Sequence, residues 1–370
     1  MLAKEGSPFV FTMPSAVLSE LHYLDKQAAG NIAWKPLSES HTQKTYLIRS
    51  LIEEAITSSQ LEGATTTRDK AKAMIREGRT PETLDERMIM NNYRAMRQIL
   101  GHTEERLTPE YILALHKILT EGTLDNPQAV GRLRQSDSIG VYDERTNELL
   151  HDPPKFKELP ERMEKLCHFA NDYEPDYFLH PLVKAILLHF QLAYDHPFED
   201  GNGRTARALF YWYAVKQGYW LMEYISISSE IKKAPVKYGE AFLCTETDEN
   251  DTTYFILHQL DVIRKAINGL DEYITRRFHE YEEAERLLTG SVRVRGLFNH
   301  RQIDLVRDAL KNPGKSYSFI GHGATHGVVH QTARTDLLGL EKAGLLVKRK
   351  EGSRIMFYAP AGLRERLGAL

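Results

Sequence analysis

His196 to Arg207, HPFEDGNGRTAR, is the stretch of the 370-residue chain densest in chemistry. Asp200-Gly201-Asn202-Gly203 does not comfortably continue a helix, because glycine and asparagine most readily take positive φ and bring bare backbone N–H groups close to a ligand. Such a turn can form a nest for an anion. The residues that follow, RTARALFYWYAVKQG, carry Ala206, Phe210, Tyr213 and Ala214 at helical spacing and end in Gly218. The turn therefore opens a helix, whose N-terminus also favours negative charge. Arg204 and Arg207 share one face of that helix, where two guanidinium forks can hold successive phosphates. Asp200 can hold a divalent cation such as Mg²⁺, which proteins bind through one or two carboxylates together with substrate phosphates and water. His196, set before the turn by Pro197, can take a proton from an incoming hydroxyl. A solvated helix end with a structural histidine would account for some of these residues, but not for all of them side by side.

The same stretch resembles the signature of the Fic family, HxFx(D/E)GNGRxxR, and matches it at every fixed position. Members of that family typically transfer AMP from ATP to a hydroxyl-bearing side chain of a protein target. The resemblance implies that His196 is the general base, Asp200 the Mg²⁺ ligand, and Gly201, Asn202 and Gly203 the anion hole for the α and β phosphates. It also implies Arg204 on the β phosphate and Arg207 on the γ phosphate. ATP, Mg²⁺ and a protein bearing a Ser, Thr or Tyr hydroxyl are the implied partners.

Upstream, Ile48, Leu51, Ile52, Ala55 and Ile56 form one helical stripe between Lys44 and Ser59, with Arg49, Glu53 and Glu54 elsewhere on the wheel. That helix runs into Ser58-Ser59-Gln60-Leu61-Glu62-Gly63, which resembles the inhibitory motif of the Fic family, (S/T)xxxE(G/N), at Ser58, Glu62 and Gly63. A carboxylate reaching Arg207 would occupy the guanidinium that should hold the γ phosphate. Gly63 also reads as a helix C-cap, and the two readings are compatible.

The composition is that of an ordinary soluble protein of two or three domains: 42% hydrophobic, 27% charged, formal charge −3. Cys167 and Cys244 stand far apart without neighbouring ligand pairs, so neither a disulfide framework nor a structural zinc site is expected. The N-terminus has no basic region followed by a long apolar core, and no apolar run approaches about twenty residues. The expected location is cytoplasmic with no membrane partner; a homodimer is left open.

Taken in order, helices are expected over Ser15–Ala29, 44–63, Thr67–Gly78, Pro81–Gly101, Thr108–Thr120 and 158–171. Thr108 with Pro109 is a clear start signal. Ile139 and Val141 lie before an Asp143–Asn147 turn and Leu149 and Leu150 after it, so a β-hairpin is expected. In Fic proteins such a hairpin is a flap that grips the target's backbone by strand addition. Here GRLR stands at 131–134 where the family often has GxYR or GxFR. LVKAILLHFQLAYDHPF is apolar nearly all round, as a buried central helix requires, and delivers His196 to the turn. His180 and His189 read as structural histidines. Two short helices over Ser226–Lys233 and Tyr238–Thr245 precede a long amphipathic segment to about Leu288. By resemblance Tyr238 stands where the family has an aromatic beside adenine, and core packing explains it equally well.

Thr289-Gly290-Ser291 is the best boundary. Beyond it bases such as Arg293, Arg295, Arg334, Lys348, Arg349, Lys350 and Arg354 outnumber acids, which admits a polyanionic partner. The pattern is a helix from Gln302 to Lys311, a loop with Ser316-Tyr317-Ser318, a helix from Gln331 to Ala343, and strands at Gly344–Val347 and Ile355–Tyr358. It resembles a winged helix-turn-helix, in which Gln331, Thr332, Arg334 and Thr335 would face a DNA groove; such domains also dock proteins. The expected fold is mainly α: a helical region over 1–110 with an inhibitory helix at about 44–63, a Fic-type core over 111–288 with a small β-hairpin flap, and a C-terminal winged helix-turn-helix domain over 291–370. Beside adenylyl transfer, two readings stay open: a nucleotide-sensing DNA-binding regulator, and a Fic enzyme that moves another group or removes AMP.

Overall fold

The structure, a computed structural model, describes residues 1–29, 40–142, 146–171, 177–289, 298–312, 314–351 and 354–369, without side chains at 40–45, 277–278, 280–289 and 368–369. The chain divides into two compact units, one of residues 1–32, 50–71 and 80–268, the other of 33–49, 72–79 and 269–370. In chain order the helices are α1 Ser15–Leu24, continued by a π-helical turn to Ala29, α2 Ser40–Leu61, α3 Arg68–Glu77, α4 Leu84–Gly101, α5 Pro109–Thr120, α6 Leu159–Asn171, α7 Pro181–Asp195, α8 Asn202–Lys216, α9 Ile227–Lys233, α10 Pro235–Thr247, α11 Thr253–Thr289, α12 His300–Lys311, α13 Phe319–His326, α14 His330–Lys342 and α15 Leu363–Ala369. The strands are β1 Val141–Tyr142, β2 Leu149–His151, β3 Ser316–Tyr317, β4 Val347–Glu351 and β5 Arg354–Tyr358. The mainly α expectation holds.

In the first unit, α7 is the central element. His180 caps it by accepting from Leu182 N at 3.2 Å, with Pro181 at the first helical position. Leu182, Val183, Ala185, Ile186, Leu188 and Phe190 are fully buried, because a helix apolar all round must be covered all round. It packs against α8 and α6, while α4 and α5 pack on each other and on α8. Thr108 caps α5 as expected, accepting from Tyr111 N. Strands β1 and β2 pair antiparallel, with an irregularity between Val141 and Tyr142. The hairpin tip at 143–145 lies outside the described residues, as do Gly290 and Ser291 of the expected boundary. Cys167 and Cys244 are free. Among the described residues no helix is long and apolar enough to cross a membrane.

The second unit holds a three-stranded antiparallel sheet of order β3-β5-β4 on a core of Ile303, Val306, Leu337, Leu340, Leu345 and Phe357. Two expectations need correction here. The stretch around Ser316-Tyr317-Ser318 is not a loop: Ser316 and Tyr317 pair with Tyr358 and Phe357, and Ser318 caps α13 by accepting from Gly321 N. Gly321 and Gly323 dilute the helical period of α13. The helix forms because Phe319 packs on the ring of Phe357 and His322 bonds Asp336 at 3.1 Å, so tertiary contacts override propensity. Gly344–Leu346 is not strand either, since Gly344 takes φ 75° and Leu345 N bonds Leu340 O, which closes α14. Asp336, 2% exposed, takes bonds from Asn299, Arg301 and His322 and so ties α12, α13 and α14 together.

Candidate active site

α7 ends at His196, whose φ of 45° turns the chain into the left-handed region. Such a conformation is costly for a residue with a Cβ and is held here from several sides. His196 N bonds Leu192 O, Arg134 Nε donates to His196 O at 2.9 Å, and Arg134 N donates to Pro197 O. Arg134, 2% exposed, also donates to Ser136 O, Pro154 O and Asp137 Oδ1. One guanidinium therefore fastens the approach to the β1–β2 hairpin onto the carbonyl of His196. His151 of β2 adds a bond from Nε2 to Tyr194 O at 2.7 Å.

Nδ1 of His196 lies 3.2 Å from Ala193 O. A carbonyl only accepts, so Nδ1 carries the hydrogen and Nε2 is left as a bare base. Burial pushes the pKa of His196 down to about 4, against the bond to Ala193 and the Glu62 charge, which act to raise it. The imidazole is neutral at pH 7.

The turn after His196 is clamped from within. Asn202 Oδ1 accepts from Phe198 N and its Nδ2 donates to Phe198 O, both at 2.9 Å. Gly201, at φ 82°, is followed by the first turn of α8. A Cβ on Gly201 would stand 2.7 Å from Thr120 Cγ2, so the position excludes a side chain on two counts. Beneath it lies His116, fully buried, which donates Nε2 to Asp200 O at 2.9 Å, accepts from Gly131 N at Nδ1 and stacks on Phe198 at 3.7 Å. Burial pushes its pKa down to about 4, so it serves as a neutral strut.

Asp200 has its side chain half exposed and accepts from Gly201 N at 2.5 Å and from Arg204 at 3.0 Å. Arg204, buried, also donates to Leu119 O. Among the described residues no three or more His, Cys, Asp or Glu side chains gather into a metal cluster. A single half-exposed carboxylate fits an ion held mostly by phosphate oxygens and water.

Arg207 is 2% exposed and held by α2 and the turn after it. Its Nε donates to Ser58 Oγ at 2.9 Å, and one Nη donates to Ser58 O at 3.1 Å and to Glu62 Oε1 at 2.8 Å. Burial works to raise the Glu62 pKa, but the Arg207 and Arg204 charges prevail and hold the carboxyl below its usual range. A Cβ on Gly203 would meet Glu62 Oε1 at 2.3 Å. The carboxylate thus rests on the backbone of the α8 N-terminus, where a side chain at position 203 would push it aside. Gly63 takes φ 92°, and Ala64 N bonds Ser59 O, so it ends α2 as a C-cap as well.

Ser58, Glu62, Gly203 and Arg207 converge, as do Asp200, Gly201 and Arg204. The Tyr238 hydroxyl lies 2.9 Å from His189 Nε2, its ring packed among Phe242, Phe255 and His258. Burial pushes the Tyr238 hydroxyl up to about 12 and His189 down to about 3.

Three residues carry more than their sequence suggests. His116 and Arg134 lie 84 and 62 positions from their partners with no local pattern to mark them. Glu54, which lies off the apolar stripe on the helical wheel, is nevertheless 1% exposed. Tyr211 OH, Ser226 Oγ and both Ser228 N and Oγ donate to it, and donors of that number make burial of a carboxylate tolerable.

Residues 106–214 match the model of the Fic/DOC family. The chain is 35% identical over 119 residues to a protein adenylyltransferase Fic of Nematostella vectensis and 41% identical over 69 residues to one of Drosophila mojavensis. These stretches are 31% and 19% of this chain but 24% and 14% of those relatives, so it spans about a quarter of their length or less. A solved Fic family protein from Desulfovibrio desulfuricans G20 shares the fold over 96% of this chain and 98% of its own, with TM-score 0.58 and 20% identity. A Fic domain containing signaling protein from Bacteroides thetaiotaomicron does so over 68% and 97%, with TM-score 0.55 and 23% identity.

Proposed function

We propose that the chain, whose residues 106–214 match the Fic/DOC family model, is a protein adenylyltransferase that moves AMP from ATP to a Ser, Thr or Tyr hydroxyl of a protein and is held off by Glu62. The observation that carries this reading is the Arg207–Glu62 pair at 2.8 Å lying over Gly203. It puts an anion where a terminal phosphate is needed, beside a neutral histidine with a bare Nε2.

In the reaction the target hydroxyl gives its proton to His196 Nε2 and its oxygen bonds the α phosphorus. The bond from that phosphorus to the β-phosphate oxygen breaks, and pyrophosphate leaves. The N–H groups of Asn202 and Gly203, with that of Gly201 once it leaves Asp200 Oδ1, take charge from the α and β phosphates, Arg204 from the β and Arg207 from the γ phosphate. Asp200 is the carboxylate for Mg²⁺, which when bound neutralises charge on the phosphates. The hairpin fastened through Arg134 and His151 supports a strand-adding role toward the target backbone. With Glu62 in place, ATP finds Arg207 occupied and a carboxylate in the way of its γ phosphate.

The test is to incubate the full chain, Glu62→Gly, and Glu62→Gly/His196→Ala with α-labelled ATP and cell extract. Arg207 keeps both bonds to Ser58 in the first variant, so it is not orphaned. We expect strong labelling with Glu62→Gly, weak labelling with the parent and none with the double variant. Equal labelling by the double variant would sink the reading. Adduct mass separates AMP from UMP or phosphate, and loss of AMP from a premodified target would identify the reverse activity.

A second role is supported by one surface. Arg334 on α14 and all of β4, with Lys348, Arg349 and Lys350, are exposed. We read residues 291–370 as a winged helix-turn-helix that binds DNA, with Gln331, Thr332, Arg334 and Thr335 at the bases and Arg349, Lys350 and Arg354 on phosphates. Arg293 and Arg295 lie outside the described residues. In a mobility-shift assay on genomic fragments, retention that persists against excess competitor DNA supports this role, and retention that competitor abolishes rules it out.

A further inference from the structure

α7 closes on an unfavourable residue. Asp195, its last position, is an acid at the negative end of the helix dipole, and it is 4% exposed. Burial opposes its charge and raises its carboxyl. Both features favour an apolar or basic residue there.

The fold answers with donors. Arg162 of α6 gives Nε and one Nη to Asp195 Oδ1 at 2.8 and 2.7 Å, and Gln191 Nε2 gives a third bond at 2.8 Å. The same guanidinium reaches the carbonyls of Ala3 and Leu2. The N-terminal segment thereby lies over the end of α7. Gln191 also donates to Leu2 O, Lys4 N donates to the Tyr194 hydroxyl, and Phe9 stands edge-on to Phe190 and Tyr194 at 5.0 Å from each ring. A buried ion pair is often no more stabilising than an apolar pair of the same size, so stability does not account for this one. What it fixes is the last turn of α7.

The carbonyls of that turn act on the base. Leu192 O takes His196 N, Ala193 O takes His196 Nδ1, and Tyr194 O takes His151 Nε2. Ala193 O sets the tautomer, because a carbonyl 3.2 Å from Nδ1 keeps the hydrogen on that nitrogen.

We propose that Asp195 and Arg162 are positioning residues for His196: their pair fixes the Ala193 carbonyl, which holds the imidazole hydrogen on Nδ1 and leaves Nε2 bare toward the incoming hydroxyl. The catalytic half of this proposal rests on the transferase reading; the tautomer half does not.

Both halves are measured in the full chain carrying Glu62→Gly. Arg162→Met/Asp195→Leu replaces the pair by apolar side chains, and Asp195→Asn keeps an oxygen for Arg162 without the charge. Nitrogen NMR of labelled histidine at pH 7 reads the tautomer, the His196 signals being assigned by their absence in His196→Ala. We expect one tautomer, with the hydrogen on Nδ1, in Glu62→Gly alone and with Asp195→Asn, and an exchanging mixture in the double replacement. In transfer from labelled ATP the double replacement should lower kcat by about tenfold or more at an unchanged KM for ATP, while Asp195→Asn keeps most of the rate. Where urea unfolding shows that the double replacement does not fold, Arg162→Lys takes its place, since lysine lacks the fork that spans Asp195, Leu2 and Ala3. A single Nδ1–H tautomer with an unaltered kcat after replacement overturns the proposal. So does a loss of rate equal in Asp195→Asn and the double replacement, or a KM that rises as kcat falls. If no variant transfers AMP, the transferase reading fails, and the NMR signals still decide the tautomer.

Discussion

A base works when its unprotonated form is populated, and in the proposed transfer burial favours that form of His196 over a wide range. With its pKa pushed down to about 4, single-turnover transfer by the Glu62→Gly chain should stay level from pH 8 to about 5 and fall only as pH approaches about 4. Removing Glu62 takes away a charge that raises the His196 pKa, so the fall should come no earlier in the variant. A midpoint near 6.5, the ordinary histidine value, would mean that the ring is solvated in the working enzyme. The residues around this base differ in how far sequence discloses them. Asp200, Gly201, Asn202, Gly203, Arg204 and Arg207 are legible because a turn and the helix it opens are contiguous, so their chemistry is written side by side. His116 and Arg134 are not, since a lone histidine on an apolar helix and a lone arginine before a hairpin look like many others until the fold sets them against Asp200 O and His196 O.

Elements decide whether the proposed latch is a loose side chain or a fastened helix. The carboxylate of Glu54 joins α2 to Tyr211 of α8 and to Ser226 and Ser228 at the start of α9. Glu54→Ala would leave these buried donors unsatisfied and should destabilise the fold by about 3 kcal/mol, measurable by urea unfolding. It should also raise basal transfer, because the segment that carries Glu62 loses its anchor. Unchanged basal transfer would mean that the Glu62–Arg207 pair holds unaided. At the hairpin, Arg134→Lys keeps the charge but cannot reach His196 O, Ser136 O and Pro154 O together, as lysine lacks the planar fork. In the Glu62→Gly background it should lower transfer at least tenfold, and a rate equal to that of Glu62→Gly alone would remove Arg134 from the positioning of His196. Legibility at this scale follows the same logic. α2, α5 and α7 show in the sequence because cap and apolar period agree, whereas α13 hides behind Gly321 and Gly323 and forms through Phe319 on Phe357 and His322 on Asp336.

Across the whole first unit, the histidines that build the site set its tolerance of acid. His116 and His189 are fully buried and held neutral, with pKa values of about 4 and about 3 against an unfolded value near 6.5. The unfolded chain therefore binds more protons than the folded one below pH 6.5, and stability falls as pH drops through that window. By pH 4.5 each histidine costs about 2–3 kcal/mol relative to pH 7. Together they remove a large share of the roughly 5–15 kcal/mol that holds a typical domain. His196 acts in the same direction. Glu62, held low chiefly by Arg207 against its own burial, contributes stability that is present above the unfolded carboxylate value and is lost lower still, as pH falls through its folded value. Asp195 opposes them: burial raises its carboxyl, so it takes up a proton in the fold before it would in the unfolded chain, and its contribution is lost as pH rises. Glu223, whose carboxyl burial also raises, acts with Asp195, and the two do not offset three histidines. The urea midpoint reported by Trp212 and Trp220, both in this unit, should decline steadily from pH 7 to pH 4.5. His189→Asn, which removes one of the groups that titrate only on unfolding, should flatten that decline by about one proton's worth of slope. A midpoint independent of pH across the window would mean that these histidines are protonated in the folded chain, against the neutral state that their burial favours.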